Sequence, residues 1–217
     1  MNTDFLNIIS DKDKLKKELI FYSLFLMTFE NFVSFWNETL RFFYSKSFAT
    51  DDETGEILDF AKVEWIAGER HISRDKDQEK KFSNAVLQGV KREGKNYPKL
   101  SMFQWLVKNG IIDNLDYSIL EKCHDKRNEY AHNIINCLER FVSKEEKDLL
   151  LSLITVSKKA SKNWFYEVEL PTSPEIELNK FVDEKGNFNP PEIITGTDVL
   201  YSLIVSNLED IFDDNPT

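Results

Sequence analysis

Arg127 and His132 stand five positions apart near the end of the segment Asp113–Asn133, DNLDYSILEKCHDKRNEYAHN. The arginine is a permanent cation with a planar donor fork, and the histidine titrates near neutral pH. Those two groups suffice, in principle, to break an RNA phosphodiester without a metal. A base takes the 2′-hydroxyl proton, and a cation holds the phosphate whose charge grows in the transition state. Asn128 directly follows the arginine, and Lys126 and Tyr130 lie on either side as auxiliary polar groups.

The element that must position these residues is an amphipathic helix. Asp113 is its expected N-cap, after the helix-stopping pair Asn109-Gly110 and the apolar pair Ile111-Ile112. Leu115, Ile119, Leu120, Cys123 and Tyr130 recur at three- and four-residue spacing and form the expected core stripe, while Glu121, Lys122, Asp125, Lys126 and Glu129 occupy the other face. On a straight helix a five-residue step turns a side chain by roughly 140°, so Arg127 and His132 would not share a face. Either the helix loosens near His132, where Asn133 and Asn136 follow, or the long arginine swings toward an imidazole, its own or that of a second copy.

The string Lys126-Arg127-Asn128-Glu129-Tyr130-Ala131-His132-Asn133, closing a helix that follows a Gly-Ile-Ile-Asp turn, resembles the signature of the HEPN superfamily. Its members share an arginine and a histidine separated by four to six residues, commonly with a polar residue after the arginine. Arg127, Asn128 and His132 match those positions, and the likeness extends over residues 100–135. Ile134 stands where one subgroup of that superfamily has a tyrosine two residues beyond the histidine. The resemblance implies an all-α bundle of about five helices, usually dimeric. In catalytic members it implies a metal-independent ribonuclease, with two motifs facing each other across the dimer cleft. Many such members are toxins or phage-defence effectors, so RNA, a second copy and an antitoxin or regulatory protein are the implied partners, with no cofactor and no metal.

The plainer account of the same residues is a solvent-facing arginine paired with an acid one turn away and a histidine capping a helix C-terminus. On that account the chain is a non-catalytic helical module that binds a nucleotide, an RNA or a partner protein.

Composition narrows the alternatives. With 217 residues, 17 of them Phe, the chain suffices for one domain, here expected to be a single helical domain over 1–217. A net charge of −10 argues against non-specific coating of nucleic acid but leaves room for a local basic cleft. Arginine supplies six of the 28 basic residues. Cys123 and Cys137 lack metal-ligand spacing and read as free thiols of a reducing, cytoplasmic compartment. The N-terminus, Met-Asn-Thr-Asp, shows no signal-peptide pattern.

Along the chain, residues 11–46 give the longest helical pattern, with Leu15, Leu19, Leu26, Phe29, Val33, Trp36, Leu40 and Phe43 as its expected apolar face. Its densest run, Leu19–Met27, is shorter than the ~20 residues of a membrane span, so no membrane partner is expected. Its surplus of phenylalanines suggests burial against a second subunit as well as its own bundle. Residues 47–75 read as irregular, with Ile57–Trp65 open between a short helix and a strand, and a metal-dependent hydrolase built on Asp51, Asp52 and Glu53 has no supporting ligand pattern. A helix is expected over Asp75–Arg92, ended by Gly94. Around that end Lys91, Arg92, Lys95 and Lys99 form the best basic cluster, a candidate RNA-backbone contact. A short helix follows over Ser101–Asn109. Ser143 and Glu146 form a capping box opening a helix to about Lys162. Residues 163–191 read as an extended or looped insert, since Trp164–Leu170 alternates like a strand. A last helix reaches about Phe212, and 213–217 is a frayed acidic tail.

Overall fold

In a computed structural model of the chain, residues 11–45, 49–50, 57–58, 60–138, 140–172 and 196–212 are described. Helices carry most of them: α1 (Lys12–Tyr44), α2 (Lys76–Val86), α3 (Pro98–Lys108), α4 (Asn114–Cys137), α5 (Lys144–Trp164) and α6 (Gly196–Phe212). The strands are short antiparallel pairs, β1 (Ala49–Thr50) with β2 (Ile57–Leu58), β3 (Ala61–Ile66) with β4 (Glu69–Arg74), and β5 (Lys91–Arg92) with β6 (Lys95–Asn96). The chain divides into two compact units. One gathers Met1–Glu30 and Asn109–Thr217; the other is Asn31–Lys108, so α1 contributes to both.

In the first unit the core is aromatic. Phe21, Tyr22, Phe25 and Phe29 of α1 are buried, as are Leu120, Cys123 and Tyr130 of α4. Tyr130 lies with its ring centroid 4.8 Å from Tyr22 and 5.1 Å from Phe25, the latter edge-on. Each such side chain contributes on the order of 1.5–3 kcal/mol by leaving water. Tyr22 keeps its hydroxyl satisfied by donating to the Cys137 carbonyl at 3.0 Å. The buried stripe is therefore rotated from the expected one. Leu19 is 40% exposed, because Phe21, Tyr22 and Phe25 face Tyr130 instead. Leu115, expected in the α4 stripe, is likewise exposed, and Asp116 beside it is buried as a capping partner.

Both α4 and α5 begin as their sequences require. Asp113 accepts from the Leu115 and Asp116 amides, while Asp116 Oδ2 accepts from the Asp113 amide at 3.0 Å. Ser143 and Glu146 make the reciprocal pair at the start of α5. Gly110 permits the turn into α4 by adopting φ of 74°. The expected strand over Trp164–Leu170 is not formed. Phe165–Glu169 is a π-helical turn continuing α5, followed by helical Leu170–Thr172. Trp164 and Leu170 are both buried, and Trp164 Nε1 donates to Glu169 Oε1 at 2.9 Å across the wide turn. The remainder of the expected insert, 173–191, and the tail 213–217 lie outside the described residues.

In the second unit, Phe32, Trp36 and Leu40 of α1 pack inward, with Phe32 5.8 Å from Phe103 of α3. Phe35, Phe42 and Phe43 are exposed. Of the two forms left open for Ile57–Trp65 the strand is found: β3 pairs with β4, within the stretch otherwise read as irregular, over six residues from Ala61↔Arg74 to Ile66↔Glu69. The helix read as Asp75–Arg92 ends at Val86. Asp75 caps its start, and Ser101 Oγ accepts from the Gly89 and Val90 amides beyond its end, which ties the chain down for the β5–β6 turn. Among the described helices, α1 is long and apolar enough by length and composition to cross a membrane, more than the run Leu19–Met27 suggested. A core helix passes the same measure, and the buried aromatic stripe is what a core helix presents.

Candidate functional site

Arg127 and His132 both lie on regular helix. The backbone departs from helical geometry at Asn133, with φ of −133° and ψ of 35°, one residue past the histidine. Of the two alternatives, the loosening near His132 is present, but it falls beyond both side chains and leaves their roughly 140° angular separation intact.

Their environments differ sharply. Arg127 is half-buried, with its Nε donating to Glu30 Oε1 on α1 and its Nη1 donating to Asn128 Oδ1 at 3.2 Å. Nη2 makes no hydrogen bond among the described residues. The guanidinium is therefore held by a carboxylate at Nε and steadied by an amide oxygen at Nη1. His132 is exposed, and its side chain makes no hydrogen bond or ion pair among the described residues. A single copy joins Arg127 to Glu30 and Asn128, and joins His132 to neither.

Lys126 and Tyr130 turn out to belong to a different constellation. Its centre is Glu146, 3% exposed. Glu146 accepts from Tyr130 Oη at 2.8 Å, from Lys126 Nζ at 3.2 Å, from the Ser143 amide at 2.9 Å, and from both Arg140 Nη atoms at 2.7 and 2.6 Å. Glu129 completes the network by accepting from Lys126 and Arg140. Burial works to raise the Glu146 carboxyl, and the hydrogen bonds from Arg140, Ser143 and Tyr130 overcome it, holding the group at about 2. Burial and the Glu146 hydrogen bond push the Tyr130 hydroxyl far above its ordinary range, so it does not exchange a proton near neutral pH. The network lines one side of an open groove of about 680 Å³ that also contains Lys122, Asp125 and Ser152. Lys126, Arg140 and Tyr130 each meet an acceptor within the network, which makes it a clamp between α4 and α5.

The basic residues Lys91, Arg92, Lys95 and Lys99 sit in the second unit, around the β5–β6 hairpin. Glu93 and Gly94 form its turn with φ of 49° and 76°, which exposes Lys91 and Lys95 on either strand. The Arg92 guanidinium lies 5.5 Å from the Tyr97 ring centroid. Among the described residues, no three His, Cys, Asp or Glu side chains are grouped to hold a metal ion, and Asp51, Asp52 and Glu53 lie outside those residues.

Sequence reasoning missed Glu30, Arg140 and the central role of Glu146. Glu30 had one local signal, a lone acid within the apolar run Met27–Val33. Its partner lies 97 positions away, which no local pattern could supply. His124 is buried, with Nδ1 3.2 Å from Asp125 Oδ1 and its ring 6.3 Å from Phe29. No family model, no curated protein and no solved structure matches this chain.

Proposed function

We propose that the chain is a HEPN-type, metal-independent endoribonuclease, a cytoplasmic toxin or abortive-infection effector, acting as a homodimer and restrained by an antitoxin or regulatory protein. The observation that carries this reading is the contrast within one motif: Arg127 is held by Glu30 and Asn128 with Nη2 unused, while His132 stands exposed at the break in α4. A held cation and an exposed imidazole are the two complementary parts of RNA transesterification. Arg127 would present its outer guanidinium end to the scissile phosphate. The neutral imidazole of His132 would take the 2′-hydroxyl proton as that oxygen attacks phosphorus. A solvent proton would go to the departing 5′-oxygen, leaving a 2′,3′-cyclic phosphate and a 5′-hydroxyl, so that each site needs one Arg127 and one His132. Asn128 positions the arginine. Both cysteines are buried and unpaired, which accords with a reducing compartment.

The angular separation of the motif residues suggests that one productive site takes its arginine from one copy and its histidine from the other. Mixing two inactive variants tests this. In a 1:1 mixture of Arg127→Ala and His132→Ala that exchanges subunits, half the dimers are mixed and each holds one intact site, so roughly a quarter of parental RNA cleavage should return. Cleavage should persist in EDTA. No recovery on mixing, with exchange confirmed, would mean that the pair does not act across copies. A parent protein that binds RNA without cutting it would favour the non-catalytic module, a reading supported by the neutralisation of Arg127 through Glu30.

A further inference from the structure

The β3–β4 hairpin segregates its side chains by face. Residues directly opposite in an antiparallel pair share a face, so Val63, Trp65, Arg70, Ile72 and Arg74 lie on one side with Ala61. Lys62, Glu64, Ile66, Glu69, His71 and Ser73 lie on the other. Both hairpin arginines thus fall on the first face and both hairpin acids on the second, where Lys62 Nζ is 2.7 Å from Glu64. Trp65 is 70% exposed, although a tryptophan in a folded protein is usually well covered. It stands directly across from Arg70, itself exposed, with Val63 and Ile72 continuing the apolar strip toward the base. Arg74 at that base pairs with Glu79 at 2.9 Å and stays on the first face. Ala67 and Gly68, both at positive φ, form the two-residue turn that projects the pair.

We propose that this face of the β3–β4 hairpin binds single-stranded RNA, one unpaired base stacking on Trp65 while Arg70 contacts the adjoining phosphate. A tryptophan directly across the ribbon from an arginine, with the acids of the same ribbon on the other face, is the chemistry that recognises an unstacked nucleotide. A buried protein partner would ask for a wider apolar area than Val63, Trp65 and Ile72 supply. An anionic lipid surface would favour apolar residues concentrated at the tip, where Glu69 instead faces Ile66. The inference deepens the RNA-directed reading of Arg127 and His132 by placing substrate recognition in the second unit.

The test measures binding in His132→Ala protein, so that failure of cleavage and failure of recognition are separate results. Fluorescence anisotropy with a labelled 12-nucleotide oligouridylate, at low and moderate salt, should show binding that Trp65→Ala and Arg70→Ala each weaken about tenfold. Trp65→Phe should retain most of it, because a smaller ring still stacks. Tryptophan emission should be quenched by the oligonucleotide, and not by phosphatidylcholine–phosphatidylserine vesicles. Equal affinity of Trp65→Ala and its parent would overturn the proposal. So would equal binding of a 12-base-pair RNA duplex, or quenching by the vesicles with no response to the RNA.

Discussion

Glu146→Gln isolates the charge at the centre of the α4–α5 clamp. A glutamine at this position keeps an acceptor for the Ser143 amide, so the capping box survives and the lost quantity is the carboxylate's charge. The drop from the ordinary carboxyl value of 4.5 to about 2 corresponds to about 3 kcal/mol at 1.36 kcal/mol per pKa unit. Removing one partner of a buried ion pair typically costs about 3–5 kcal/mol. A loss of about 3 kcal/mol at pH 7 is therefore expected, with Arg140 and Lys126 left facing a neutral amide. Because the folded-state value lies below the unfolded one, the carboxylate stabilises the fold above pH 4.5, and that contribution fades as pH falls toward 2. By the same relation about half of it remains at pH 3, so the gap between parent and variant should shrink to about 1.5 kcal/mol. Urea unfolding followed by far-UV circular dichroism at pH 7 and pH 3 reads both numbers. A variant within 0.5 kcal/mol of its parent at pH 7, or a gap that does not narrow at pH 3, refutes the account (the threshold is about the error of such fits).

Tyr130→Phe should cost about 1–2 kcal/mol, the price of leaving Glu146 one donor short, and should leave any RNA cleavage unchanged; urea midpoints and a cleavage assay check the two halves. Ala67→Asn should raise the thermal midpoint slightly, by relieving on the order of 1 kcal/mol at a left-handed backbone position, provided the hairpin melts with its unit. Glu30→Gln should leave the fold intact and lower RNA cleavage about tenfold if Glu30 positions the arginine, as read from kcat against KM; a rise in cleavage would show that Glu30 competes with the phosphate instead.

The caps of α4 and α5 were legible because each is written within four residues: Asp113 with Asp116, and Ser143 with Glu146. The break after His132 was one of two alternatives that the sequence left open, and the chain takes it at Asn133. What could not be read was which face of an evenly phenylalanine-rich helix turns inward. On α1 that choice depends on Tyr130, more than a hundred positions away, so Phe21, Tyr22 and Phe25 won over Leu15 and Leu19. The β3–β4 hairpin was only half legible: Ala61, Val63 and Trp65 alternate with Lys62 and Glu64, but both faces meet solvent and Ala-Gly is not the usual turn pair, so Ile57–Trp65 stayed open between helix and strand. Trp164–Leu170 misled in the opposite sense: a π-helical turn widens the helix repeat, and the shifted spacing imitates a period of two.

The charge of −10 is a sum over the whole chain, and ion pairs cancel locally without changing it, so it is a poor guide to what any one part of the surface binds. Asp113 and Asp116 both meet Lys159 at 2.6 Å, which together with the amides at the helix start holds Asp113 at about 2. Glu129 and Glu146 are bound to Lys126 and Arg140, and Glu30 to Arg127. A carboxylate engaged in this way projects a weaker field than its formal charge implies, since an opposite charge a few ångströms off cancels it beyond roughly one Debye length, about 8–10 Å at physiological salt. Local arrangement then decides recognition. Glu30 makes the point at the motif: it lowers the net charge on Arg127 yet fixes the direction of its guanidinium, and catalysis by a planar fork depends on direction as much as on charge.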